Sequence, residues 1–240
     1  MAPITFAHRG ARAQAPENTL EAFRQALEAG VDGLETDAWT AADGEVVLVH
    51  DAFVKVRRVG IVSTRLRVAA TTSDELARHD VPRLRDLYQE LGTDYELSID
   101  LKDATVGPLV LDAAGAHGDP ARLWLCSPSR RVLAALRDLG TDAHMVHSTT
   151  RTRFADSLER HAADLAAQRI DAINFHHSEW TKGLVALFHR FDVRAFAWDT
   201  QEVRHIRAML GYGVDALYCD HVHRLVATVA EWTDGSSSSS

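Results

Sequence analysis

Eight short apolar runs, at residues 4–8, 33–37, 95–101, 123–127, 143–148, 171–175, 194–198 and 216–219, recur along the sequence, and the stretches between them carry the periodicity of amphipathic helices. Strand followed by helix, repeated, dictates parallel strands with helices laid over them, because a parallel connection needs a long crossover. Eight such units close into a (β/α)8 TIM barrel. An open doubly wound sheet is the competing arrangement, but it calls for a glycine-rich phosphate loop after the first strand, and residues 9–18 hold only Gly10. The rhythm breaks once, which predicts a small insertion after the second strand, with a lid segment over residues 52–92. The barrel domain is expected to span residues 1–233, and the serine-rich end, 234–240, reads as a disordered tail.

Each run stops where polar groups begin. Ile4, Phe6 and His8 share one face of the first strand, and Glu35 and Asp37 share one face of the second. In the third, Leu97, Ile99 and Leu101 alternate with Ser98, Asp100 and Lys102. Barrels of this kind carry their active sites at the C-terminal ends of the strands, where His8, Glu35, Asp37, Asp100, Lys102 and Trp198 fall. Two carboxylates aimed at one space repel unless a cation lies between them, which points to a hard divalent metal. A merely solvated strand end is the plainer reading of Glu35 and Asp37, and the proximity of His8, Arg9 and His50 argues against it.

Composition narrows the partners. A formal charge of −8 excludes a general nucleic-acid partner, which needs a basic field, while leaving room for a single phosphodiester held by local cations. Residues 1–6 lack the basic and apolar regions of a secretory leader, and no apolar run approaches a membrane span. Cys126 and Cys219 each fall in a strand expected to be buried, as packed thiols do. A cytoplasmic location is expected on both grounds. Within this acidic chain, residues 52–72 contain Lys55, Arg57, Arg58, Arg65 and Arg67 and no acid, so this segment is either a solvated loop or a basic rim over an anionic substrate. The first helix is expected to begin at Asn18, with Glu21 completing a capping box, and later helices near Ser129, Arg153, Ser178, Glu202 and His221.

His8-Arg9-Gly10, Pro16-Glu17-Asn18-Thr19 with Ala22-Phe23, Gly33-Leu34-Glu35-Thr36-Asp37, Asp43-Gly44 and His50-Asp51 follow one another within fifty residues. Together they resemble the signature of the glycerophosphodiester phosphodiesterase family. The resemblance implies metal-dependent hydrolysis of a glycerophosphodiester to glycerol 3-phosphate and an alcohol, with Ca2+ or Mg2+ as cofactor. It implies His8 and His50 as the acid/base pair, suited to it by a side-chain pKa near 6.5. Arg9 and Lys102 would grip the phosphate, and Glu35, Asp37 and Asp100 would hold the metal. The family usually has glutamate, a spacer and lysine after the third strand, and here the tripeptide is Asp100-Leu101-Lys102, an aspartate that resembles the sphingomyelinase D branch. The family's Trp-Thr-Val-Asn is matched by Trp198-Asp199-Thr200-Gln201, so only Trp198 carries over, as a substrate-binding or a core residue. A lysophospholipase D or sphingomyelinase D type of lipid phosphodiesterase is the enzyme alternative, hinted at by Phe53, Val54, Val59, Ile61 and Val62 among the basic residues. A phosphate-binding barrel without activity is the other, disfavoured because a binder has no use for two histidines.

Other histidines also follow strands. His176-His177 and His221 with His223 invite a zinc site, but their spacing matches no finger and no neighbouring Cys or carboxylate cluster completes one, so packed or solvent-facing rings are expected. His147 is read the same way.

Overall fold

The computed structural model describes residues 2–57, 63–103, 105–154 and 157–237. Its strands are β1 (Ile4–His8), β2 (Gly33–Thr40), β3 (Val46–Leu48), β4 (Phe53–Arg57), β5 (Ser63–Arg67), β6 (Glu96–Leu101), β7 (Leu123–Ser127), β8 (His144–Ser148), β9 (Ala172–His176), β10 (Arg194–Trp198) and β11 (Ala216–Cys219). The order β1-β11-β10-β9-β8-β7-β6-β2 is parallel throughout, and β1 pairs with β2 to close the ring. This is the (β/α)8 barrel that the repeating pattern predicts. The helices are α1 (Leu20–Glu28), α2 (Ser73–Ala77), α3 (Leu84–Leu91), α4 (Val106–His117), α5 (Arg130–Arg137), α6 (Leu158–Ala167), α7 (Lys182–His189), α8 (Val203–Tyr212) and α9 (Val222–Ser237).

Alternation along each strand divides the apolar residues into two cores. Outward residues such as Leu34, Leu97, Ile99, Leu125 and Ile173 pack with Phe23, Leu133, Leu165, Phe188 and Met209 of the helices. Inward residues form a separate cluster of Phe6, Trp124, Cys126, Val146, Ala172, Phe196, Ala216 and Tyr218. The Phe6 and Tyr218 rings stack at 4.9 Å, and Trp124 and Phe196 meet at 5.1 Å. Each such aromatic ring contributes on the order of 1.5–3 kcal/mol by leaving water. Gly33 makes room for this plug, since a Cβ there would lie 2.7 Å from the Phe6 ring and 2.5 Å from the Glu96 carbonyl oxygen.

The break in rhythm is an insertion between β2 and α3. Its β3 pairs antiparallel with β2, Ala38 opposite Leu48, and Val49 N–H donates to the Asp37 carbonyl at 2.9 Å, which carries His50 toward the mouth of the barrel. Beyond it, β4 and β5 form a hairpin outside the barrel sheet, with Lys55 opposite Arg65 and Phe53 opposite Arg67, all four exposed. Arg58 and the Arg57 side chain lie outside the described residues.

Several boundaries differ from the sequence expectation. Thr19, not Asn18, caps α1, its hydroxyl accepting from Ala22 N–H at 3.2 Å. Asn18 takes a left-handed backbone instead, with φ 56°. The segment at Arg153 is a single 3-10 turn, Arg151–Arg153, and α6 starts later behind Ser157. Likewise His177–Glu179 is a 3-10 turn, and Thr181 caps α7. At the C-terminus α9 continues through Ser237, so the first residues of the expected tail extend a helix, while 238–240 lie outside the described residues.

Candidate active site

Above the aromatic plug, the inward positions turn polar. A cavity of about 220 Å³ at the C-terminal mouth is lined by His8, Arg9, Glu35, Asp37, Asp100, Lys102 and Trp198, together with Ser148, Asn174 and the tops of Ser98, Cys126 and Tyr218. Register explains the grouping: His8 is opposite Glu35, Asp37 opposite Asp100, and Ser148 opposite Asn174. Every expected site residue except His50 lines this cavity. The His50 ring lies half-exposed outside that lining, its Nδ1 2.8 Å from Asp51 Oδ1.

The His8 ring is tethered from behind. Its Nδ1 lies 2.6 Å from Asp220 Oδ1, just past the end of β11, and its Nε2 lies 3.8 Å from Glu35 Oε2. Burial alone would lower the His8 pKa, but the Glu35 and Asp220 carboxylates outweigh it and raise it. A protonated Nδ1 donating to Asp220 leaves Nε2 as the nitrogen that faces the cavity. Asp220 is correspondingly held low: burial opposes ionisation, and the His8 hydrogen bond and nearby Arg12 more than compensate. Sequence reading missed Asp220, although it is the first polar residue after an apolar run, the same signal that marks His8.

Asp37 is almost fully buried. It receives Asn18 Nδ2–H at 2.9 Å and the Lys102 ammonium at 2.9 Å, and these with Arg9 hold its carboxyl below the ordinary range despite burial. Asn18 in turn accepts from the Thr36 hydroxyl at 2.7 Å. The left-handed backbone at Asn18 is what aims this side chain inward rather than along α1. Arg9 shares that conformation, with φ 56°, and donates its backbone N–H to Glu35 Oε2 at 2.9 Å. Its guanidinium spans Glu17 (Nη1 to Oε1, 3.1 Å) and Asp37 (Nε to Oδ2, 3.3 Å). The second contact is an ion pair without hydrogen-bond alignment, so the buried Arg9 Nε–H has no acceptor. An unpaired buried donor of this kind costs about 1–3 kcal/mol, a cost that an incoming anion would relieve.

Glu35, Asp37 and Asp100 line the same cavity and feel one another's charge, although as they stand their oxygens are not gathered as tightly as an ion shared by all three would require. Glu35 is pushed up to about 7, by burial first and then by the negative charge of Asp37 and Asp100, against the pull of His8 and Arg9. Acids that raise one another in this way call for more positive charge than His8 and Arg9 supply. Lys102 provides part of it, its ammonium reaching Asp37 at 2.9 Å and Asp100 at 2.6 Å, and is itself raised to about 12: burial would lower it, and those two acids outweigh burial.

The sequence matches the Glycerophosphoryl diester phosphodiesterase family over residues 8–224. The chain belongs to this family. It is 30% identical, over 44% of its length and 48% of the relative's, to a glycerophosphodiester phosphodiesterase of Caldanaerobacter subterraneus subsp. tengcongensis. At 30% identity or more over such stretches, the chain spans about half or less of the length of the relatives it matches. The solved glycerophosphodiester phosphodiesterase of Thermotoga maritima superposes with TM-score 0.80 at 21% identity, covering 95% of this chain and 98% of that one. A phosphodiesterase of Oleispira antarctica, solved in complex with the product sn-glycerol-3-phosphate, superposes with TM-score 0.80 at 18% identity, covering 95% and 97%. At these identities the structural matches speak for the barrel alone.

Cys126 and Cys219 are free, buried thiols, both raised by desolvation, Cys219 to about 11, as packed cysteines are. His147 is also packed, its Nδ1 3.3 Å from His161 Nε2 beneath Phe154.

Proposed function

We propose that this barrel hydrolyses glycerophosphodiesters, releasing glycerol 3-phosphate and an alcohol with the aid of Ca2+ or Mg2+. The observation that carries the reading is the single cavity in which an oriented histidine, an arginine with an unpaired buried N–H and three converging carboxylates meet. Arg9 and Lys102 would hold the phosphate oxygens, the guanidinium fixing their orientation in its fork. Glu35, Asp37 and Asp100 would hold the metal, which when bound screens the phosphate charge. His8, braced by Asp220, would present Nε2 to the reacting atoms, with His50 as its acid/base partner. One of the two takes the proton of the attacking oxygen as the new P–O bond forms; the other gives a proton to the alcohol oxygen as the old P–O bond breaks. Trp198 supplies an apolar wall beside the polar Ser148 and Asn174, a surface suited to a glycerol moiety.

The barrel, residues 1–233, then acts as one unit, with the segment 52–92 as rim and lid. A cytoplasmic location fits the free buried cysteines; no helix of the described residues is long and apolar enough to cross a membrane. A lipid diester is the second reading, favoured by Phe53, which is 49% exposed on the cationic hairpin.

The test is release of glycerol 3-phosphate from a panel of headgroup diesters and lysolipids, with Ca2+ or Mg2+ and with excess chelator. Turnover that chelator abolishes is expected. Absence of cleavage of every diester with metal present overturns the enzymatic reading, and full activity in chelator overturns the metal's part in it.

A further inference from the structure

His176 ends β9 and Trp198 ends β10, directly opposite it in register. The chain turns sharply at the next residue, Asp199, whose φ of 61° is left-handed. That turn brings the Asp199 carboxylate back over β9, its Oδ2 3.1 Å from His176 Nε2. His177 opens the adjacent 3-10 turn, its ring 4.4 Å from that of His176. His176, His177 and Asp199 each offer a ligand atom, and these atoms all lie within 4.8 Å of one another. Among the described residues this is the group of His, Cys, Asp and Glu side chains gathered tightly enough to share an ion.

The supporting contacts are those of an oriented ligand set. His176 Nδ1 accepts Ser178 N–H at 3.3 Å and lies 2.7 Å from Ser178 Oγ, which turns Nε2 toward Asp199. Asp199 Oδ1 accepts from Gln201 Nε2 at 3.2 Å, leaving Oδ2 for the shared position. His205 of α8 stacks on His177 at 3.9 Å and limits the rotation of that ring. Such outer partners are the usual means of fixing imidazole and carboxylate ligands.

We propose that His176, His177 and Asp199 form a second metal site, for a zinc-type transition dication, at the rim of the barrel mouth and separate from the Glu35, Asp37 and Asp100 carboxylates. Two imidazoles and one carboxylate suit Zn2+ or its neighbours Co2+ and Ni2+, whereas Ca2+ and Mg2+ take oxygen ligands. Three protein ligands leave at least one coordination position to water or to a solute. The consequence for the cavity comes through Trp198: its ring meets that of His176 edge-on at 4.7 Å and forms part of the cavity wall. An ion fixing His176 therefore fixes that wall. The sequence spacing concealed the site because its carboxylate comes from the next barrel strand, 22 residues beyond His177.

The test uses Zn2+ and Co2+ themselves, on the full chain with saturating Mg2+, and on a Glu35→Gln/Asp37→Asn background that disables the carboxylate cluster. One equivalent of Zn2+ by calorimetry, and a visible Co2+ absorption band with quenching of tryptophan fluorescence, are expected in both proteins. His177→Gln and Asp199→Asn should each weaken Zn2+ binding by tenfold or more, and Trp198→Phe should remove most of the quenching while leaving the stoichiometry at one. Thermal melts of each variant without metal establish that it is folded. Zn2+ binding unchanged in the His177→Gln and Asp199→Asn variants, or lost only in the Glu35→Gln/Asp37→Asn background, overturns the proposal. Neither result bears on hydrolysis at the carboxylate site.

Discussion

The lower and upper halves of the barrel interior are built from the same strands, two residues apart, and they are opposites. Phe6 lies below His8, Ala172 below Asn174, Val146 below Ser148 and Phe196 below Trp198. The lower layer is a packed one: the Phe6 and Tyr218 rings stack, the side chains are buried and Gly33 clears a crowded position. The upper layer breaks that pattern, with left-handed backbone at Arg9, Asn18 and Asp199, a guanidinium N–H without an acceptor, and a buried Glu35 pushed up by burial and by its acidic neighbours. A period of two residues thus separates the part that supplies stability from the part that holds charge in readiness for a ligand.

The comparison breaks most severely if substitutions in the two layers act alike. In the upper layer, Glu35→Gln and Asp37→Asn should each lower turnover by more than the 10- to 100-fold typical of a residue behind a metal ligand, and should weaken metal binding measured by calorimetry. In the lower layer, Phe6→Ala should cost about 3–5 kcal/mol of stability, which at about 2–4 °C per kcal/mol is a fall in Tm of roughly 6–20 °C. Residual activity of that variant at low temperature should stay close to normal.

Asp220→Asn sharpens the comparison at the join. It leaves the plug intact and removes one carboxylate that raises His8, so the limb of the pH–rate profile set by His8 should move to lower pH. Turnover should fall about tenfold to 10²-fold, less than the loss of an acid or base itself. An unmoved limb would mean that Asp220 is only a packing partner.

A smaller effect is expected at the His147 and His161 pair. Both are pushed down to about 4, chiefly by burial. The unfolded chain therefore takes up protons near pH 6.5 before the folded one does, and stability present above that pH is lost as pH falls toward about 4. His161→Gln should flatten the dependence of Tm on pH between 6.5 and 4. The smallest effect is that of reversing Lys55, Arg65 and Arg67 on the hairpin, which should lower kcat/KM at low salt and much less at high salt. Equal effects at both would make the hairpin an ordinary surface.

Much of this was legible in the sequence for a physical reason: strand periodicity assigns both face and height, so His8, Glu35, Asp37, Asp100 and Lys102 declare themselves as polar endings of apolar runs. What stayed hidden depends on local competition or on distant partners. Asn18 and Thr19 are both good caps, and only the folded chain shows that Asn18 is drawn to Asp37 while Thr19 caps α1. Asp220 meets His8 across the ring closure, 212 residues away, where no spacing rule applies. His176, His177 and Asp199 converge because neighbouring strands end at the same height. Composition marks 234–240 as a tail, and it does not show that α9 carries its helix through Ser237.

The most direct test of the division between layers is the paired measurement of turnover and Tm for His8→Asn, using an alkyl glycerophosphodiester and a nitrophenyl ester that needs little protonation on leaving. The account predicts an alkyl-diester rate about 10²- to 10⁴-fold lower with Tm within a few degrees of the unsubstituted protein. Recovery with the nitrophenyl ester would make His8 the acid, and no recovery would make it the base. Near-normal turnover of the alkyl diester, or a loss that merely tracks a fallen Tm, would contradict it.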